Sequence, residues 1–164
     1  METFRIGHSP DPDDAFMYYA IAHEKVTVGD RKVVHVLEEI ESLNKRALTG
    51  ELECTAISAA AYPLLADKYR IMSAGASIGR NYGPIVVAKK NIQLQGAHIA
   101  IPGLHTTAYL LAQIYISDFI PVPMKFDEVL PAVKNNQIEA GLIIHEGQIT
   151  YERDKLINLM DLGV

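Results

Sequence analysis

His145 directly follows an apolar segment of the chain, residues 140–144. Such a segment predicts a buried strand. A side chain just beyond the end of that strand reaches the edge of the sheet, where an imidazole can accept a proton near neutral pH. We therefore interpret His145 as the candidate general base. The alternative is a polar loop residue without a chemical role, and position alone does not decide between the two.

The segment His105-Thr106-Thr107 follows a Pro-Gly turn and opens a predicted helix. Unpaired backbone N–H groups at a helix N-terminus, together with two hydroxyls, favour binding of an anionic group such as a carboxylate or a phosphate. The alternative is that Thr106 only caps the helix. Both interpretations account equally well for the local sequence.

Three carboxylates lie close together between a predicted strand and a predicted helix, at Asp11, Asp13 and Asp14, just after Ser9. Carboxylates in such a turn can orient a substrate hydroxyl or bind a cation, but their spacing is not that of a calcium-binding loop. Acidic residues are also favoured at the start of a helix by its dipole. This second interpretation is favoured more for Asp13 and Asp14 than for Ser9 and Asp11.

The elements that must position these residues form two predicted βαβαβ units in an α/β protein. The first has strands at 4–7, 32–37 and 52–57 and helices at 15–22 and 40–48; the second has strands at 98–101, 122–126 and 140–144 and helices at 107–116 and 128–135, with Asp127 as an expected N-cap. A short helix at 59–66 and strands at 71–72 and 85–88 are expected between them. This organisation predicts a first lobe at 1–88 and a second at 89–164.

The ends of the two units resemble each other in sequence. Residues 47–54 and 132–140 both read as a helix end, a turn, an aliphatic residue, a glutamate and a small residue, which indicates related lobes. Parallel sheets bind ligands beyond the carboxyl ends of their strands. Residues that follow strands are therefore predicted to line one cleft: Ser9, Ser58, His105 to Thr107, and His145.

Composition and charge exclude several classes of function. The 164 residues carry 15 basic and 20 acidic side chains, scattered along the chain, so nucleic acid is not an expected partner. Cys54 is the only cysteine, which excludes an internal disulfide and favours a reducing compartment. There is no signal-peptide pattern and no apolar run of about 20 residues. A cytoplasmic protein without a membrane span is expected, and no oligomeric state is indicated.

The chain also lacks the usual signatures of nucleotide binding and covalent catalysis. Gly75, Gly79 and Gly83 match neither the Walker nor the Rossmann pattern. Cys54 lies in a predicted buried strand, where the thiolate is disfavoured. No cysteine and histidine cluster has the spacing of a zinc site, so no metal is expected.

Four segments resemble one enzyme family. They are His-Ser-Pro-Asp-Pro-Asp-Asp-Ala-Phe at 8–16, Leu-Glu-Glu-Ile-Glu-Ser-Leu-Asn at 37–44, Pro-Gly-Leu-His-Thr-Thr-Ala at 102–108 and Gly-Leu-Ile-Ile-His-Glu at 141–146. They resemble the 1,4-dihydroxy-6-naphthoate synthases of the futalosine route to menaquinone, and the resemblance runs through the whole chain. It implies a two-lobed, periplasmic-binding-protein-like fold of type II, which agrees with the two predicted βαβαβ units.

The resemblance implies a cofactor-free lyase that converts cyclic dehypoxanthine futalosine to 1,4-dihydroxy-6-naphthoate. His145, in its Ile-Ile-His-Glu setting, matches the histidine that is the family's proposed base. Substrate contacts carry over to Thr106 and Thr107 and to the strand end Ala56-Ile57-Ser58, and less directly to Ser9 and Asp11. The resulting hypothesis is that the helix N-terminus holds the substrate carboxylate while His145 removes a proton.

Two departures and two alternatives accompany this resemblance. Some family members carry a lysine where this chain has Ala56, and members continue beyond residue 164, so a chain truncated at its C-terminus is expected, with the first lobe lacking its return segment. The alternatives are a non-catalytic protein of the same fold that binds a small carboxylate, and a chorismate dehydratase. The missing export signal argues against the first, and the His-Thr-Thr and Ile-Ile-His-Glu segments favour the synthase over the second.

Overall fold

The structure is a computed structural model that describes residues 2–144 and 147–163. His145 and Glu146 lie outside the described residues. The chain divides into two compact units, Met1–Ser77 and Ile78–Val164, and each is described by itself. The boundary between the units precedes the strand at 85–88, whereas the sequence analysis places that strand in the first lobe.

The first unit is a three-stranded parallel sheet built from one βαβαβ unit. Its elements are β1 (Thr3–His8), α1 (Pro12–Ala22), β2 (Lys32–Leu37), α2 (Ile40–Thr49), β3 (Cys54–Thr55) and a 3₁₀ helix at Ala59–Leu64. The strand order is β2-β1-β3, and β1 pairs in parallel with both neighbours. The central strand becomes buried at its carboxyl end, from Ile6 to His8. Ser9, the polar residue that follows β1, is buried as well.

Helix α2 packs its apolar stripe inward and stops at Gly50. Leu43 and Ala47 are fully buried, as the helical spacing of these residues predicts. Gly50 has a φ of 72°, in the left-handed region that glycine accepts without a Cβ clash, and its N–H donates to Ala47 O. The chain then turns directly into β3.

Three predictions for the first unit need correction. The strand predicted at 52–57 is short, only Cys54–Thr55. The strand predicted at 71–72 is absent, and Ile71 and Met72 are 70% and 68% exposed. The helix predicted at 59–66 is a 3₁₀ helix containing Pro63, which lacks the N–H needed to continue an α-helical ladder.

The second unit is a five-stranded mixed sheet. Its elements are β4 (Ile85–Ala88), β5 (His98–Ile101), α3 (Thr107–Tyr115), β6 (Ile120–Pro123), α4 (Phe126–Lys134), β7 (Ala140–Ile143), α5 (Gly147–Thr150), a 3₁₀ helix at Tyr151–Asp154 and β8 (Ile157–Asp161). The order is β6-β5-β7-β4-β8. The βαβαβ part is parallel, and β4 runs antiparallel to both β7 and β8.

The two faces of this sheet are covered by different helices. One face joins Val86, Ile99, Ile101 and Leu142 to Ala108 and Ala112 of α3. The other joins Ile85, Val87, Ala100 and Ile143 to Val129 and Val133 of α4. Successive side chains of a strand point to opposite faces, so strands apolar at every position must be covered on both sides.

The second unit also departs from the prediction at the edge of the sheet. β6 covers Ile120–Pro123 rather than 122–126, and α4 begins after Lys125, so Asp127 lies in its first turn and is not the N-cap. β6 is an edge strand, with a neighbour on one side only. It tolerates Pro121 and Pro123 because a proline, which has no N–H, can occupy positions where that group would face away from the sheet.

The two similar segments found in the sequence make the same hydrogen bonds. Glu53 accepts from the backbone N–H of Arg5 at 2.7 Å, and Glu139 accepts from that of His98 at 2.8 Å. In both βαβαβ parts, a glutamate just before the third strand (β3 or β7) therefore accepts a hydrogen bond from a backbone N–H of the first strand (β1 or β5). The preceding turns also match, since Asn136 has a positive φ of 56° in the position that Gly50 occupies in the first unit.

Candidate functional site

The turn that follows β1 is held by a buried carboxylate. The Ser9 N–H donates to Asp14 Oδ2 at 2.6 Å, and the Asp11 N–H donates to Ser9 Oγ at 3.1 Å. Asp14 is only 7% exposed and lies in the first turn of α1. Ser9 and Asp11 are therefore brought together, and Asp14, interpreted from the sequence as a helix-start residue, also fixes the turn that carries them.

A pair of histidines lies beside this turn. His8 Nε2 is 2.8 Å from His35 Nδ1, and His8 Nδ1 is 3.1 Å from the Ser9 carbonyl oxygen. Tyr18 stacks on the His8 ring with centroids 4.4 Å apart. The sequence analysis missed this pair because the two histidines belong to different strands and meet only through the parallel pairing of β1 with β2.

The strand end after β3 is organised by Asn44. This side chain of α2 is 0% exposed. Its Oδ1 accepts from the Ser58 N–H at 2.9 Å, and its Nδ2 donates to Ser58 Oγ at 3.0 Å. Sequence reasoning missed Asn44, although a signal existed, since it is a polar residue on the same helical face as Leu43 and Ala47.

The other two residues of that predicted strand end have different surroundings. The Ala56 N–H donates to Gly7 O at 2.8 Å, which continues the pairing of β3 with β1. The Ile57 side chain packs against a small core of Ala47, Ala61 and Leu65. Ser58 is therefore the member of the segment whose side chain has the chemistry to bind a polar ligand.

In the second unit Thr106 caps α3. It is 2% exposed, its Oγ1 donates to Gly103 O at 2.8 Å, and it accepts from the Tyr109 N–H at 3.2 Å. The capping interpretation of Thr106 is thus observed, and the donor and one acceptor position of its hydroxyl are occupied. Thr107 is half-buried and is the first residue of the helix.

The predicted base, His145, lies outside the described residues. The strand that leads to it, β7, is buried at every position from Ala140 to Ile143. The expectation of a buried strand just before His145 is therefore confirmed, and the role of the histidine stays a prediction.

Burial sets the protonation of several groups in the first unit. It raises the pKa of Tyr18 to about 12, with smaller contributions from Cys54 and Asp14. It also raises the pKa of the Cys54 thiol, so the thiol form is favoured, as expected. The pKa of His35 is lowered, mainly by burial and to a smaller extent by the neighbouring His8.

Within residues 2–144 and 147–163 no cluster of three or more potential metal-binding side chains is found.

Comparison with known proteins gives a consistent picture. A family model described as menaquinone biosynthesis matches residues 4–164. A protein of Thermus thermophilus named 1,4-dihydroxy-6-naphtoate synthase is 44% identical over 164 residues, covering 99% of this chain and 60% of that protein. The chain thus spans about 60% of the length of this relative.

Solved structures show the same fold. A crystal structure of a protein from Archaeoglobus fulgidus is 54% identical, with a TM-score of 0.92 over 98% of this chain and 60% of that one. The alkanesulfonate-binding protein of Xanthomonas axonopodis is 16% identical with a TM-score of 0.70, over 98% of this chain and 61% of that one. At that identity the likeness shows the fold alone, and it confirms the expected α/β fold of the periplasmic-binding-protein class. None of the helices in the described parts of the chain is long and apolar enough to cross a membrane.

Proposed function

Because the chain belongs to the menaquinone biosynthesis family, whose model matches residues 4–164, we propose that it acts as a 1,4-dihydroxy-6-naphthoate synthase. The reaction is the cofactor-free cleavage of cyclic dehypoxanthine futalosine to 1,4-dihydroxy-6-naphthoate. The observation that carries the proposal is 44% identity, over 99% of this chain, to a protein with that name. We propose that this chain binds a small carboxylate-bearing substrate. We also propose that it acts in the cytoplasm, a reducing compartment that suits a chain with one cysteine.

In the first unit we assign substrate binding to the strand ends. Asn44 Nδ2 donates to Ser58 Oγ, so the hydroxyl proton of Ser58 must point to a different acceptor, which we propose is a substrate oxygen. Ser9 Oγ accepts from the Asp11 N–H and can donate in the same way. Preorganised donors of this kind cost little reorganisation when substrate binds. Ala56 and Ile57 contribute mainly by fixing the backbone that presents Ser58.

In the second unit we assign the substrate carboxylate to the N-terminus of α3. A helix N-terminus favours an anion through its exposed N–H groups and its dipole. The Thr106 hydroxyl already donates to Gly103 O, so the anion contacts from this segment come from backbone N–H groups and from Thr107. His145, which follows the buried strand β7, is the proposed general base that removes the proton and starts bond cleavage.

The proposal is tested by incubating the protein with cyclic dehypoxanthine futalosine and following 1,4-dihydroxy-6-naphthoate by chromatography. We expect product from the parent protein and a loss of about 10²- to 10⁴-fold in rate for His145→Ala, the usual contribution of a positioned general base. His23→Ala is the matched control, because His23 is an exposed histidine of the first unit. Equal rates for the parent and His145→Ala exclude His145 as the base.

A parallel incubation with chorismate separates the family's reaction from a dehydratase of similar fold. Product from chorismate alone contradicts the proposed reaction. Binding of a carboxylate substrate by calorimetry, with no product from either compound, identifies a non-catalytic binding protein.

A further inference from the structure

The histidine pair beside Ser9 has a hydrogen-bond pattern with only one neutral solution. The Ser9 carbonyl oxygen can only accept, so His8 Nδ1, 3.1 Å away, must be the donor. In a neutral imidazole the other nitrogen then accepts, so His8 Nε2 receives a hydrogen bond from His35 Nδ1 at 2.8 Å. His35 is therefore the Nδ1–H tautomer.

This assignment leaves an unprotonated nitrogen in a protected place. His35 Nε2 is buried and has no hydrogen-bond partner among the described residues. His8 itself is only 5% exposed and is stacked on Tyr18. A proton added at His35 Nε2 therefore has poor solvation, because an unpaired buried charge is costly.

We propose that His8 and His35 are positioning residues that hold the Ser9 turn in its binding conformation while the pair is neutral. His35 orients the His8 ring, and His8 binds the Ser9 carbonyl. The N–H and Oγ of Ser9 are held by Asp14 and Asp11 at the same time. The assignment of Ser9 to substrate binding rests on the proposed function, whereas the hydrogen-bond arrangement does not.

The surroundings make the arrangement sensitive to acid. Tyr18 of α1 stacks on His8, and its phenol interacts in turn with Cys54 of β3 and with Asp14 of α1. Burial raises the pKa of the phenol and of the Cys54 thiol, so both stay neutral. The Asp14 carboxylate accepts from the Ser9 N–H and is therefore already engaged by the turn. Among the described residues no contact joins a carboxylate to His35, so a proton added at its Nε2 finds no counter-charge there.

The sign of the pH effect follows from the lowered pKa of His35, whose ordinary value is 6.5. The unfolded or released histidine takes up a proton as pH falls through 6.5, while the folded one resists it. The folded arrangement is therefore fully favoured above about pH 6.5 and loses stability as pH falls below that value toward the folded pKa.

The first test reads the tautomers by nitrogen-detected NMR of the imidazole rings near neutral pH. We expect His35 to carry its proton on Nδ1, with Nε2 unprotonated, and to resist protonation as the pH falls through 6.5, the ordinary pKa of a histidine. A His35 with its proton on Nε2, or one that takes up a proton at the ordinary histidine pKa of 6.5, overturns the proposal. This readout does not depend on any enzymatic activity.

The second test uses two substitutions at one position. His35→Asn places an amide N–H where the Nδ1–H was and cannot titrate, whereas His35→Leu removes the donor; His23→Gln is the control. Protection of the Ser9 and Asp11 amides from hydrogen exchange is measured from pH 7 to pH 5. We expect about a tenfold loss of protection in His35→Leu, parental protection in His35→Asn, and a loss in acid in the parent that His35→Asn lacks.

The same variants separate this proposal from the proposed function. If the synthase assignment holds, the substrate KM follows the amide protection: it rises about tenfold in His35→Leu and stays near the parental value in His35→Asn. Altered protection without any turnover in the parent refutes the synthase reaction and leaves the positioning role standing. Equal protection in all variants at every pH refutes the positioning role, whatever the activity.

Discussion

Replacement of Asn44 tests the organisation of the β3 strand end most directly. The buried amide makes two hydrogen bonds with Ser58, one to its N–H and one to its hydroxyl oxygen. Each such bond contributes about 0.5–1.5 kcal/mol net. Asn44→Ala should therefore lower the free energy of unfolding by about 1–3 kcal/mol, with a further small term for the space left in the core.

Ser58→Ala provides the internal comparison. It removes the hydroxyl that accepts from Asn44 Nδ2 but keeps the backbone N–H that donates to Oδ1. Its cost should be about one hydrogen bond, 0.5–1.5 kcal/mol, and the double mutant should show a coupling of the same size. Lys45→Arg is the control on the same helix, since Lys45 is exposed and the substitution keeps the positive charge that faces Glu41, so its change should stay within about 0.5 kcal/mol.

Urea unfolding followed by far-ultraviolet circular dichroism measures these differences in a chain that has no tryptophan. The substrate KM is measured on the same variants, and both Asn44→Ala and Ser58→Ala should raise it. A free energy of unfolding for Asn44→Ala within about 0.5 kcal/mol of the parent's would show that these hydrogen bonds do not stabilise the strand end. Equal costs for Asn44→Ala and Ser58→Ala, without coupling between them, would show the same.

Two further predictions concern packing and acid stability. A Cβ on Gly141 would lie 2.6 Å from Val129 Cγ1, so Gly141→Ala should cost about 1–3 kcal/mol in urea unfolding. Val129 is fully buried, so Val129→Ala should cost less in the Gly141→Ala background than in the parent, and equal costs in the two backgrounds would contradict the packing argument. Arg5 lowers the pKa of Glu53 from 4.5 to about 2. The ionised Glu53 therefore stabilises the folded state above pH 4.5, and this stabilisation is lost as pH falls toward 2. Glu53→Gln should flatten unfolding free energy against pH in that window, and a slope equal to the parent's would contradict it.

Much of the framework follows from local sequence pattern. Residues 98–101 form a strand with the predicted bounds, and both βαβαβ units appear with β1 and β5 central in their parallel ladders. Helical spacing placed Leu43 and Ala47 on the buried face of α2. These features depend on the spacing of apolar residues within one element, which the linear sequence contains.

Pairing between distant segments was decided only by the tertiary structure. The sequence predicted β4 as a strand but not its antiparallel place between β7 and β8, and it did not predict β8. A strand's neighbours depend on hydrogen bonds to segments many residues away, and no local period specifies them. The partition of the chain near residue 77 reflects the same pairing, because β4 joins the second sheet.

The candidate site divides in the same way. The sequence alone determined the family resemblance and the polar residues that follow strands, including Ser9, Ser58 and Thr106. Tertiary structure alone decided that Asn44 engages Ser58 and that His8 meets His35, since each contact joins side chains from separate elements. It also showed the Thr106 hydroxyl engaged in a cap. A residue's type states which bonds it can make, and the packing of its neighbours determines which of them it does make.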